Sequence, residues 1–268
     1  MDRYLLKNIM IIILALVNVF LLGALAIRQS ASYSARERTE EQLVALFAAD
    51  GMTLDRDLIS HKTPPQEMTL TRNAEQERSV AAFLLGESNL RSSQDGGVCR
   101  YSTVRGTVQF RSNGGFDAAG NLAGMEGEEA CREFCSRFSY GEPVFRLDDT
   151  GTGTAGAAYR LEKLPVYNCT VTFTLDHGDL MAVSGTLLSQ EGAAATGGED
   201  RTPLSAAAAL MAFQQLRRES YAVVSAITDV TLCYELQSTI DTVVPAWCIA
   251  TDTGNYYVNC LTGLVTSG

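Results

Sequence analysis

From Ile9 to Ile27 the chain carries no charged residue, and only Asn18 and Gly23 interrupt the apolar run. A helix needs about 20 apolar residues to cross the hydrocarbon core of a bilayer. Residues 9–28 are therefore expected to form one transmembrane anchor. Arg3 and Lys7 lie ahead of it on a short tail, residues 1–8, and a long region succeeds it. A short basic tail before a large domain favours an N-terminus inside the cytoplasm and a C-terminal region outside it. Ala24-Leu25-Ala26 also has the small-x-small form of a signal-peptide cleavage site. The run is at the long end for a cleaved signal core, so the anchor is the reading adopted. On either reading the remainder is exported. Asn18 sits mid-span. Its amide either bonds its own helix or reaches a second transmembrane helix, a contact worth about 1 kcal/mol. The second use makes Asn18 the candidate partner-binding residue.

The chain as a whole is 46% hydrophobic and 19% charged, a balance that can bury a core. The formal net charge of −10 and the lack of a basic patch argue against nucleic acid as a partner. Seven cysteines occur, none in a CxxC spacing, and an odd number leaves at least one unpaired or bonded to another chain. Cys131 and Cys135 share a helix face by their spacing of four, and read as a pair of small core residues rather than a disulfide or metal site. The only histidines are His61 and His177. His61 lies in a polar stretch before Pro64-Pro65, and His177 has acids beside it in Asp176 and Asp179 but no nucleophile motif for imidazole catalysis; zinc ligands at short spacing are missing. Gly151-Thr152-Gly153-Thr154 lacks the Lys-Ser/Thr of a phosphate loop. Asp148-Asp149 and Glu128-Glu129 read as solvated pairs, the second suited to a helix N-terminus. No catalytic, metal or cofactor site is expected, and no enzyme.

Periodicity divides the exported part. A helix is expected over 35–49, with Thr39 and Gln42 as a capping box. Pro64-Pro65 breaks the chain before a short strand at 67–71. Asn73 opens a second helix that ends near Leu85. Strands at 98–104 and 107–111 meet the turn Asn113-Gly114-Gly115. A helix over 128–138 precedes strands at 144–147, 157–164, 167–175 and 180–188, with a tight turn at His177-Gly178-Asp179. Residues 191–201 read as a Gly/Ala-rich linker. Thr202 as cap and Pro203 at the first helical position open a helix to about Arg218, followed by strands at 227–235, 243–250 and 256–260. The fold class expected is α+β. An N-terminal transmembrane helix leads to an exported α+β region (29–126) and two small modules (127–190 and 202–268), each a helix laid on an antiparallel sheet.

The ends of the chain carry a wider resemblance. Arg36-Glu37-Arg38-Thr39-Glu40-Glu41-Gln42-Leu43 comes after the apolar run. Leu164-Pro165-Val166-Tyr167-Asn168 lies in the middle. Near the C-terminus come Val244-Pro245-Ala246-Trp247-Cys248-Ile249 and Thr253-Gly254-Asn255-Tyr256-Tyr257-Val258-Asn259-Cys260-Leu261-Thr262-Gly263. Together these resemble the YycI-type regulatory proteins of Gram-positive bacteria, and the closing segment looks like that of PepSY-type modules. The resemblance implies a membrane-anchored accessory that binds and modulates a sensor histidine kinase of a cell-wall two-component system (the WalK kinase of that family), together with a YycH-like protein. It marks Pro245, Trp247, Tyr256, Tyr257, Asn259 and Gly263 as structural motif residues, with Trp247 packing against Tyr256 or Tyr257 across strands. A different expectation also stands: a freestanding exported module that binds or inhibits a protease or a wall polymer.

Overall fold

The computed structural model describes residues 36–190, 194–195, 202–220, 223–237 and 242–268. The expected anchor (9–28) and Asn18 lie outside the described residues. No described helix is long and apolar enough to cross a membrane.

The expectation of small separate α+β modules is overturned. The described chain is a mixed α/β fold dominated by one 14-stranded sheet, with strand well in excess of helix. Four helices are described: α1 over 36–49, α2 (Ala74–Leu85), α3 (Gly127–Arg137) and α4 (Ala206–Ser220). After α2 come β2 (Arg91–Asp95), β3 (Val98–Thr103), β4 (Gly106–Phe110) and β5 (Gly115–Gly120). After α3 come β6 (Val144–Leu147), β7 (Gly153–Leu161), β8 (Leu164–Asp176) and β9 (Asp179–Thr186). After α4 come β11 (Ile227–Gln237), β12 (Thr242–Thr251), β13 (Asn255–Asn259) and β14 (Val265–Ser267). Two short strands extend the sheet past the start of β12: β1 (Met68–Thr69) pairs with β12, and β10 (Ala194–Ala195) pairs with the far side of β1, so part of the expected linker is drawn into the sheet.

The merger has a simple cause. A meander left alone exposes two edges of unpaired peptide groups. Here β5 pairs antiparallel with β9 over Gly115–Ala119. One continuous run, β6-β7-β8-β9-β5-β4-β3-β2, results. The third meander joins through β11, which meets β8 in parallel at Tyr234 and Val166. The sequence reading assigns no strand to β2 or β5, because RSSQD and GFDAAG are polar or rich in small residues. Their strand conformation comes from pairing, not propensity.

Two cores lie on the covered side. Phe134 of α3 centres the larger one, stacking on Phe116, edge-on to Phe173 and Phe83, and tilted against Phe138 and Tyr140. α2 adds Val80, Leu84 and Leu85. The smaller core holds Leu43 and Phe47 of α1, Leu210 and Phe213 of α4, and Trp247. Leu164 touches both.

Local chemistry differs from the sequence reading in two places. Residues 36–38 are already helical, so Thr39 lies inside α1 rather than capping it. α4 starts at Ala206, not after Thr202-Pro203. Ser205 accepts from the Ala208 N–H at 3.4 Å, while the Leu204 N–H donates to Cys260 and its carbonyl accepts from Trp247 Nε1. Those bonds hold the 202–205 segment against the sheet and delay the helix. The turn at His177-Gly178 is as tight as expected, with φ of 49° and 84°, the two positive values a type I′ hairpin needs.

All seven cysteines are free thiols, and Cys131 and Cys135 are buried in the larger core. Burial pushes both thiols up to about 12, and does the same for Cys169 and Cys260. The thiolate is the reactive form, so at pH 8 these groups stay neutral and inaccessible. A thiol alkylator applied to the native protein should modify Cys99 and, more slowly, Cys248, with the other five reacting only after unfolding. Mass-spectrometric mapping of modified cysteines checks this.

Candidate functional site

The described residues that do more than fill a core gather at two junctions. One joins the two halves of the sheet; the other ties α1 to the smaller core.

At the first junction β8 carries a bulge. Ala158 pairs with Thr170 and its neighbour Tyr159 with Val166, which leaves Tyr167, Asn168 and Cys169 outside the β7–β8 ladder. Cys169 turns inward. Tyr167 and Asn168 turn toward the third meander. Asn168 Nδ2 donates to the Leu236 carbonyl at 2.7 Å, and Asn168 Oδ1 accepts from the Leu236 N–H at 2.7 Å. A side-chain amide has the same donor and acceptor as a peptide group, so Asn168 extends the β8–β11 pairing where the backbone has left it. The sequon Asn168-Cys169-Thr170 therefore has its amide committed to this seam.

Tyr167 stacks on Tyr257 of β13 with centroids 3.6 Å apart and planes 7° from parallel. Its hydroxyl donates to Glu235 Oε1 at 3.0 Å and lies 3.3 Å from Thr266 Oγ1. Asn259 Nδ2 donates to the other oxygen of Glu235 at 3.0 Å. Burial pushes the Tyr167 phenol up to about 12, so it stays a hydrogen-bond donor across the physiological range. Both oxygens of the Glu235 carboxylate are thus used in the seam.

The closing motif sits on the two sides of the third meander. Trp247 is fully buried, pairs with Val258, and donates from Nε1 to Leu204 at 2.8 Å. Tyr256 leans on Phe213 of α4 at 4.8 Å. Tyr257 and Asn259 face the seam instead. Asn259 Oδ1 also accepts from the Leu261 and Thr262 N–H groups, shaping the turn in which Gly263 takes φ 73°. The Pro245 carbonyl accepts from the Cys260 N–H. The sequence reading paired Trp247 with either tyrosine. The register puts Tyr256 beside Ile249 and Tyr257 beside Cys248, with Val258 opposite Trp247. The seam role of Tyr167 and Asn168 was missed, although one signal was present: apolar positions run 166, 169, 171, 173, 175, and the period of two slips between the first pair.

At the second junction α1 is clamped along its length. Arg56, in a 3₁₀ turn over Arg56–Leu58, reaches Glu37 at 3.3 Å and Glu40 at 3.0 Å. Glu40 is 8% exposed, and His61 Nε2 lies 3.5 Å from its other oxygen. The Asp50 carboxylate, just past the last turn, accepts from Arg218 at 2.7 Å and from the Gln214 amide, while Arg217 donates to the Asp50 carbonyl at 3.2 Å. A hollow of about 510 Å³ opens between α1, the 59–64 segment and the start of α4, with Glu40, His61 and Lys62 among its walls. No group of three or more metal-ligating side chains occurs among the described residues. The segment between β6 and β7, which holds Gly151-Thr152, is an ordered hairpin turn in which Asp148 Oδ1 accepts from the Thr150 and Thr152 N–H groups.

Hydrogen bonding to Arg218 holds the Asp50 carboxyl below its ordinary value near 3.8. A carboxyl lowered in the folded state contributes stability that is complete above the unfolded value and lost as pH falls through the folded one. The docking of α1 should therefore loosen as pH drops below about 4. Faster amide exchange at Phe47 and Met52 would report it, and Arg218→Ala should raise that exchange at neutral pH and flatten its pH dependence. At the seam, Asn168→Ala should cost about 1–2 kcal/mol for two partly solvated bonds and raise exchange at the Leu236 amide, with Asn168→Asp intermediate because it keeps the acceptor. Compared with known proteins, the chain matches no family model and no curated protein.

Proposed function

We propose that this chain is a membrane-anchored accessory protein that binds a sensor histidine kinase of a cell-envelope two-component system, with a YycH-like protein as a second partner, and modulates the kinase without catalysis of its own. The anchor is the apolar run Ile9–Ile27, with the body extracytoplasmic. The observation that carries the reading is the clamp on α1. This helix is regular from residue 36, nine residues after the run ends, and Leu43, Phe47 and Asp50 fix it to the smaller core. An anchor tethered this closely to a helix held so firmly by the body would couple the two, so that reorientation on one side biases the other. The segments on which the chain resembles YycI-type proteins fall on this helix, on the β8 bulge and on the hairpin that carries Trp247. They are the parts that couple α1, the seam and the third meander.

Modulation needs only unequal affinity for two kinase states. A coupling of about 1–3 kcal/mol shifts such an equilibrium roughly 5- to 150-fold. The second reading, a freestanding exported module, requires no contact within the membrane. The two separate on one experiment. Asn18→Leu should reduce recovery of the kinase when the full chain is purified from membranes in mild detergent, and a chain lacking residues 1–28 should lose its effect on kinase autophosphorylation. Undiminished recovery and undiminished effect would overturn the proposal.

A further inference from the structure

Another hollow, of about 370 Å³, opens between the first turns of α2, the end of α3, β7 and the segment that leaves β9. β7 contributes Tyr159 to its wall. The tyrosine is fully buried, its ring edge-on to Tyr140 with centroids 5.4 Å apart. No described group bonds its hydroxyl. Gln190 comes close, but its amide nitrogen donates to the Arg160 carbonyl at 3.0 Å and makes no hydrogen bond to the phenol. A buried hydroxyl without a partner has lost its hydration and recovered nothing, so such groups are rare in folded proteins and each calls for an explanation. Burial pushes this phenol up to about 12, so at neutral pH it is a donor.

Two charges share the same wall. Arg137, in the last turn of α3, lies over the Phe138 ring, 5.7 Å from its centroid. Glu75 lies in the first turn of α2. Neither enters an ion pair among the described residues, whereas Glu77 of α2 and Arg132 of α3 are matched to Arg72 and Glu128. Ser139 follows Arg137 and Phe138 with φ 63°, the left-handed position at a helix end that glycine or asparagine usually takes. A serine there adds a hydroxyl to the wall. A guanidinium beside neutral donors is the pattern that receives a carboxylate. A carboxylate on the other helix receives an ammonium. The volume is at the small end of ligand sites, which span about 300–1,000 Å³.

We propose that this hollow binds a small zwitterion, an α-amino acid, with its carboxylate on Arg137, the Tyr159 hydroxyl and Ser139, and its ammonium on Glu75. The site is separate from the kinase contacts proposed above and does not require them. The test is isothermal titration of the full chain in detergent with glycine, L-alanine, L-serine, L-glutamine and L-phenylalanine. The deaminated acid and the decarboxylated amine of the tightest binder serve as controls (propionate and ethylamine for alanine). The expected result is saturable binding of at least one amino acid, one molecule per chain, with each control weaker by about tenfold or more. Tyr159→Phe, Arg137→Gln and Glu75→Gln should each weaken that binding about tenfold, the loss of one bond to a charged group. Tyr159→Phe removes only an unbonded hydroxyl, so without ligand it should melt no lower than the parent chain, which separates a lost contact from a lost fold. Binding of none of the amino acids would overturn the inference, as would undiminished binding of either control or by any of the three variants. None of these outcomes bears on recovery of the kinase.

Discussion

The Asn168 carboxamide stands in for a peptide group. Where the β8 backbone bulges away from its neighbour, this one side chain supplies the donor and acceptor that Leu236 needs, and so keeps a 14-stranded sheet continuous across the junction of its two cores. The backbone itself pairs there at a single position, Tyr234 with Val166. Without the amide, the Leu236 N–H and carbonyl would have only water to bond, and the halves would rely on that backbone pair, on Tyr234 and Val243 in the larger core, on Leu164 and on the contacts of Tyr167 with Tyr257 and Glu235. The bulge also explains why Tyr167 points across the seam. Three residues of β8, 167–169, fall outside the ladder with β7 and break the alternation there, so a tyrosine that alternation would bury under α3 is delivered instead to β13.

The seam and the α1 clamp act on the same small body from different sides. Trp247, Tyr256 and Phe213 fill the space between the third meander and its helices, while Tyr257, Glu235 and Asn259 on the opposite face hold β8. β12 and β13 are thus the layer through which a displacement of α1 reaches the larger sheet. The bonds on the two sides differ in character. The clamp relies on ion pairs between partly exposed groups such as Arg218 and Asp50, which water and salt weaken. The seam is built on neutral amides, a stacked pair and a shared carboxylate. The α1 attachment is the softer of the two.

Much of the secondary structure was legible in the sequence, because its signals are local. Asn73 opens α2 by accepting from the Glu75 and Gln76 N–H groups, and Thr170, Thr172 and Thr174 alternate with buried Val171, Phe173 and Leu175 as a half-wet strand must. The features that stayed hidden are non-local. The joining of meanders through β5–β9 and β8–β11 depends on edges finding each other, and no residue type announces that. β2 and β5 have no strand propensity to speak of. The start of α4 was misplaced because Pro203 is a good first helical residue only where the neighbouring carbonyls are free, and Leu204 is already bonded to Trp247 and Cys260.

The same distinction separates the two ends of this molecule. A transmembrane contact through Asn18 would be written in one residue and one helix face. The open face of the larger sheet is written in no single residue. It exists only because β5 brings Ala119 and Asp117 beside Ala182 and Ser184, which placed the smallest side chains of two meanders in one plane. Separate modules would have presented two narrow strips bounded by free edges. Merging them removes those edges from the risk of unspecific strand pairing and turns the strips into one plane. The pairing that overturns the modular reading of the sequence is therefore the pairing that creates the surface.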